Sequence, residues 1–153
     1  MNFKEIARGF AIASSFALLA LLSDRALAVD DTASPGSFDL TSVRSKIAAN
    51  DFKAAIVELR GLAEDNQEAD VYNLLGFSLR KTGDFQTSLT YYNKALALQP
   101  DYKPAHEYLG ELYLDMGDIA SAKGQLSNLT KLCPIGCEEL ADLQKAIEVK
   151  TKQ

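Results

Sequence analysis

Hydrophobic positions from residue 38 to residue 150 recur every three or four residues, with polar residues between them. This spacing places apolar side chains on one face of an α-helix, and no stretch shows the strict alternation of a half-buried strand. We therefore expect an all-α fold. The predicted helices span residues 39–49, 52–65, 69–81, 85–98, 103–115, 119–131 and 138–150.

The chain also matches itself at a fixed offset of 34 residues, and a weaker copy beginning at Asn50 is offset by 33. Coincidences of glycine and proline at one offset indicate a stack of repeated helix pairs. The matched residues are Leu75 with Leu109, Gly76 with Gly110, Gly83 with Gly117, Asp84 with Asp118, and Pro100 with Pro134.

Each repeated unit has glycine, aspartate and proline at the positions expected for two helices joined by a tight turn. Gly83 and Gly117 supply a permissive backbone for the turn, and the aspartate after each can cap the next helix. Pro100 and Pro134 then mark the ends of the second helices, because proline cannot continue the hydrogen-bond ladder.

These positions resemble the signature of the tetratricopeptide repeat family. In the second unit the signature places hold Tyr72, Leu75, Gly76, Leu79, Gly83, Phe85, Ser88, Tyr92, Ala95 and Pro100. In the third they hold His106, Leu109, Gly110, Tyr113, Gly117, Ile119, Ala122, Leu126, Leu129 and Pro134. The first unit keeps only the second-helix pattern, so it is either a degenerate terminal repeat or a cap.

The resemblance implies a tetratricopeptide-repeat solenoid of helical hairpins, with about three repeats and a C-terminal capping helix. We expect this domain to cover residues 38–150. Its units would be residues 38–67, 69–102 and 103–136, followed by the cap at 137–150.

Residues 1–28 have the pattern of an export signal. Lys4 and Arg8 precede an uncharged run at 9–22, and a small-x-small sequence ends at Ala28. The run is shorter than the roughly 20 apolar residues that span a bilayer, although an uncleaved anchor is the alternative. We expect cleavage after Ala28, a flexible segment at 29–37, no stable membrane insertion afterwards, and a periplasmic or secreted protein.

The charge of the chain argues against two classes of partner. Lysine and arginine total 16 against 21 acidic residues, giving a net charge of −5. An acidic chain lacks the cations that phosphate contacts need, and anionic membranes repel it. We therefore expect neither nucleic acid nor a membrane surface as the partner.

Two cysteines, Cys133 and Cys137, flank a bend made by Pro134 and Gly136. Export permits a disulfide, and the bend lets the two side chains approach as a straight helix would not. A structural disulfide is the main interpretation, and a redox pair or a soft-metal site is the alternative. Glu138 stands where a c-type haem site needs histidine. No methionine or histidine in the sequence assists the two cysteines in holding a soft metal, so no cofactor or metal is expected.

Candidate catalytic groups are few. His106 is the only histidine, and it falls at a position that the repeat uses for packing. A hydrolase would need a histidine beside a nucleophile. Glu107 and Glu111 share a helix face, but this spacing is common on solvated faces, so we expect no enzyme.

The resemblance implies that first helices line a concave groove. The residues that would point into it are Arg44, Asn73, Phe77, Arg80, Lys81, Glu107, Glu111 and Asp115. The groove would be basic at one end and acidic at the other, which suits a partner segment of mixed charge. Phe77 either anchors a peptide or packs against the neighbouring first helix.

The leading hypothesis is a non-catalytic scaffold or adaptor that binds another polypeptide in this groove. Self-association through the open end of the first unit is the second hypothesis. A small redox or metal-handling protein that uses Cys133 and Cys137 is the third.

Overall fold

The computed structural model describes residues 39–65 and 67–152, and every regular element in those ranges is an α-helix. The helices are α1 (Thr41–Ala48), α2 (Phe52–Asp65), α3 (Ala69–Lys81), α4 (Phe85–Leu98), α5 (Lys103–Asp115), α6 (Ile119–Leu132) and α7 (Glu138–Thr151). Each end lies within two residues of its predicted position, and the predicted all-α class is confirmed. The predicted export signal (1–28) and flexible segment (29–37) lie outside the described residues.

The helices pack as a stack of hairpins. Each helix packs against the next one along the chain, and the first helices of successive units also touch, α3 against α5 and α5 against α7. Helix α7 therefore occupies the place that the first helix of a further unit would take. None of the helices described here has both the length and the apolar character needed to cross a bilayer.

The turns inside the second and third units have the geometry that the sequence predicts. Gly83 and Gly117 have φ values of 86° and 80°, in the left-handed region that favours glycine. Asp84 and Asp118 then accept hydrogen bonds from the backbone N–H three residues later, at 3.3 Å and 2.9 Å. These caps fix where α4 and α6 begin.

The first unit makes the same turn with different residues. Asn50 has a φ of 58°, a conformation that asparagine tolerates better than most side chains. Asp51 Oδ1 accepts a hydrogen bond from the Ala54 N–H at 3.1 Å. The first unit is therefore a helical hairpin like the other two, although α1 has only eight residues.

Two glycines allow close approach between helices. A Cβ at Gly76 would lie 2.9 Å from the Tyr92 ring, and a Cβ at Gly110 would lie 2.5 Å from Leu143 Cδ2. Glycine thus lets Tyr92 of α4 pack on α3, and Leu143 of α7 pack on α5. The fully buried apolar side chains along the stack include Val43, Leu59, Val71, Leu75, Tyr92, Leu112, Leu129 and Leu143.

The chain between α6 and α7 is closed by a disulfide. The Sγ atoms of Cys133 and Cys137 lie 2.17 Å apart and their Cα atoms 5.8 Å apart. Gly136 has a φ of 92° and provides the bend between them. The bond ties the end of the third unit to the start of α7.

Candidate partner-binding groove

Three neighbouring recesses lie along the odd-numbered helices. The first, here called the aromatic cleft, has a volume of about 250 Å³ and is lined by Arg44, Ile47, Ala48, Leu74, Phe77 and Tyr108. The second, the acidic cleft, has a volume of about 480 Å³ and is lined by Arg80, Glu107, Glu111, Leu114, Asp115, Asp142, Lys145, Ala146, Val149 and Lys150.

A third recess of about 220 Å³ connects the other two. It shares Tyr108 with the aromatic cleft, and it shares Glu107 and Asp142 with the acidic cleft. Its remaining lining residues are Pro104, Glu138 and Glu139. Since every lining residue comes from α1, α3, α5 or α7, the recesses form one continuous surface, here called the groove.

Phe77 and Tyr108 form the floor of the aromatic cleft. Their ring centroids are 5.1 Å apart, and the rings of Phe77 and Phe52 form a T-shaped pair with centroids 6.1 Å apart. Lys81 Nζ lies 5.2 Å from the centre of the Phe77 ring, close enough for a cation–π contact. Phe77 therefore packs against neighbouring helices and also lines the cleft, so the two sequence-based interpretations of this residue are compatible.

Arg80 lies between the two clefts, and its guanidinium is already paired with carboxylates of this chain. The residue is 7% exposed, and its guanidinium donates hydrogen bonds to Glu111 and, at 3.1 Å, to Asp115 on α5. This differs from the expectation that Arg80 offers a free positive charge to a partner. The cause is the packing of α3 on α5, which places two carboxylates opposite the guanidinium.

The remaining sequence-predicted groove residues lie at different depths. Arg44 lines the aromatic cleft and forms an ion pair with Asp70 at 2.6 Å. Lys81 is exposed. Asn73 is only 2% exposed, and its Oδ1 has no hydrogen-bond partner among the described residues. Asn73 is thus a buried residue of α3 and lines neither the aromatic nor the acidic cleft.

Glu107 stands at the centre of the acidic part of the groove. Burial raises the pKa of the Glu107 carboxyl to about 7, and nearby carboxylates act in the same direction. Those carboxylates are Glu111, Asp142, Glu139 and Glu138. Desolvation and mutual repulsion together disfavour the charged form of Glu107, and a cation placed beside these carboxylates would relieve their repulsion.

Sequence reasoning missed the contribution of α7 to the groove. The sequence predicts a capping helix at α7, whereas Asp142, Glu138 and Glu139 of α7 line the recesses with α5. The acidic first turn of α7 is visible in the sequence, but its orientation depends on how α7 packs on α5. Tyr108 was missed for the same reason, since its neighbour across the groove is Phe77 on another helix.

His106 has a structural position outside the groove. It is 6% exposed, with Nδ1 2.7 Å from Gln125 Oε1 and Nε2 2.8 Å from the Pro100 carbonyl oxygen. Both ring nitrogens are therefore engaged in contacts that join α5 to α6 and to the preceding loop. This agrees with the packing role that its position in the repeat predicts.

One cluster has metal-binding residue types. Donor atoms of Cys133, Cys137 and Glu139 lie within 4.8 Å of one another. Thiolate, not disulfide sulfur, is the usual metal ligand, and the two sulfurs are bonded to each other. The cluster could hold a metal only after reduction of this bond.

Known proteins resemble this chain over part of its length. Residues 67–127 match the tetratricopeptide repeat family model. Over 64 residues the chain is 39% identical to Protein FlbA of Caulobacter vibrioides, and 38% identical to the probable biofilm formation methyltransferase WspC of Pseudomonas putida. These matches cover 42% of this chain but only 11% and 15% of the two relatives.

Solved structures share the fold at low sequence identity. The type III secretion translocator chaperone SycD of Yersinia enterocolitica superposes with a TM-score of 0.63 at 14% identity, covering 74% of this chain and 83% of SycD. MamA superposes with a TM-score of 0.58 at 19% identity, covering 74% of each chain. Residues 67–127 therefore match the tetratricopeptide repeat family model, and the described helices share the fold of SycD and MamA.

Proposed function

We propose that this protein is a non-catalytic scaffold that holds a segment of another polypeptide in the groove, in the periplasm or outside the cell. The observation that carries the proposal is the continuity of the groove along α1, α3, α5 and α7. An aromatic floor at one end and carboxylates at the other give it both contact area and selectivity.

The groove has the composition of a protein-binding surface. Aromatic side chains in partly buried pockets commonly supply most of the binding energy, while charged residues around them select the partner. Phe77 and Tyr108 fill the first role, and the carboxylates of α5 and α7 fill the second. The structural relative SycD is a translocator chaperone, which is consistent with the binding of a polypeptide by this fold.

Export is supported by the sequence of residues 1–28 and by the disulfide. Disulfides persist in oxidising compartments and are rare in the cytosol. We expect the protein that accumulates from the whole gene to begin at Val29. Intact-mass measurement tests this, and a mass that retains residues 1–28 would contradict it.

Site-specific photo-cross-linking in cells of the source organism tests the scaffold function. A photoreactive residue at Lys81, beside Phe77, should form adducts with a discrete set of polypeptides. The same residue at Lys123, an exposed position on α6, is the matched control and should not give those adducts. Equal adducts from both positions, or none from Lys81, would contradict the proposal.

Self-association is the second candidate. Val57 on α2 is a large apolar residue with 73% exposure, and SycD has been solved as an alternative dimer. The two hypotheses predict different adducts, since self-association gives cross-links between copies of this chain. Light scattering at increasing concentration measures the same difference in the purified protein.

A further inference from the structure

We propose that the groove selects a segment that places a lysine or arginine in the acidic cleft and a large apolar side chain in the aromatic cleft. This inference rests on the proposed function and specifies the chemistry of its partner. It also revises the expectation of a partner with mixed charge.

Some carboxylates in the acidic cleft form no ion pair with a cation of this chain. The guanidinium of Arg80 is paired with Glu111 and Asp115. Glu107 and Asp142 form no ion pair within the described residues, and Glu138 and Glu139 adjoin them in the connecting recess. Lys145 and Lys150 also line the cleft, so the unpaired negative charge lies toward the start of α7.

The walls of the acidic cleft suit the stem of a long basic side chain. Leu114, Ala146 and Val149 line the same cleft as Glu107 and Asp142. Lysine and arginine place their aliphatic stems along apolar surface while the charged group reaches polar partners. The cleft therefore offers both an apolar wall and unpaired carboxylates to one side chain.

The two clefts belong to one binding site because they share neighbours. Tyr108 borders the aromatic cleft and the connecting recess, and Glu107 borders the connecting recess and the acidic cleft. An extended segment that crosses this recess would present one side chain to each end. The unpaired carboxylates disfavour an acidic residue anywhere along the α5–α7 half.

Selection from a phage-displayed library of random 12-residue peptides tests the inference. The bait is the protein that accumulates when the whole chain is expressed, compared with the double variant Glu107→Gln, Asp142→Asn. The control variant Glu64→Gln, Asp101→Asn removes the same charge from exposed positions that line neither cleft. Circular dichroism and thermal unfolding check that all three proteins are folded.

The expected result is enrichment of peptides in which lysine or arginine accompanies a large apolar residue. The control variant should select peptides enriched in both residue types. The groove variant should still enrich large apolar residues, but its enrichment of lysine or arginine should fall at least tenfold. Peptides enriched for apolar residues with no basic preference, or with an acidic one, would overturn this inference and leave the scaffold function standing. No enrichment with any bait would overturn both.

Discussion

At the scale of single residues, Glu107 should make the stability of the fold depend on pH. Its pKa is raised to about 7, above its unfolded value, so the folded state binds this proton more tightly than the unfolded state does. The stability that this proton contributes is present at low pH and is lost as the pH rises from about 4.5 through about 7.

Glu107→Gln should therefore stabilise the protein at pH 8, by about 1 kcal/mol after allowance for the partial exposure of the side chain. At pH 4 the variant should differ little from the parent, because the parent carboxyl is then protonated. Urea unfolding at the two pH values measures the difference. Glu64→Gln is the control, and a stabilisation by Glu107→Gln that is equal at both pH values would count against this account.

The structural role of a residue can be predicted from the sequence where the repeat pattern alone determines that role. Gly83, Gly117 and the capping aspartates follow from the turn that joins two helices of one unit, which is a local property. The sequence places Arg80 at the basic end of the groove but does not reveal its partners, because Glu111 and Asp115 are more than thirty residues away in sequence. Such pairings depend on which faces of neighbouring helices meet, and no local pattern reports them.

At the scale of elements, the seating of α7 on α5 depends on Gly110. An added Cβ would lie 2.5 Å from Leu143 Cδ2, and because Leu143 is fully buried, its side chain or α7 itself would have to shift. Overpacking of this kind costs about 1–3 kcal/mol, which exceeds the roughly 1 kcal/mol that alanine gains over glycine inside a helix. Gly110→Ala should therefore lower the free energy of unfolding by about 1 kcal/mol.

Gly124→Ala is the matched control for this prediction. Gly124 lies within α6, and a Cβ there would have nothing within 4 Å. The control should raise the free energy of unfolding, by up to about 1 kcal/mol. Denaturant unfolding of both variants measures the two changes, and a stabilising Gly110→Ala would mean that α7 is not seated on α5 as described.

The elements were largely predictable from the sequence. Apolar periodicity and the glycine, aspartate and proline positions define all the described helices to within two residues. Their assignment to the groove was less complete, because α7 was expected only to cover the end of the stack. A capping helix and a groove-lining helix have the same amphipathic pattern, so the choice between them depends on tertiary packing.

At the scale of the whole molecule, the proposed scaffold function depends on the groove as a unit that α1, α3, α5 and α7 build together. Its floor and its charges come from four helices, so no single repeat carries the site. The fold class followed from the resemblance to a repeat family. The charge distribution of the groove did not, because it depends on which carboxylates remain unpaired after the helices have packed.

The most direct test of the account is to fill the aromatic cleft without removing any side chain that supports the fold. Ala48 is exposed and lines this cleft, so Ala48→Trp should obstruct it, while Ala97→Trp adds the same side chain at an exposed position on α4. Titration calorimetry with the polypeptide identified by cross-linking at Lys81 should show at least a tenfold loss of affinity, about 1.4 kcal/mol, for Ala48→Trp alone. Unchanged affinity in a folded Ala48→Trp protein, or an equal loss in Ala97→Trp, would contradict binding in the groove.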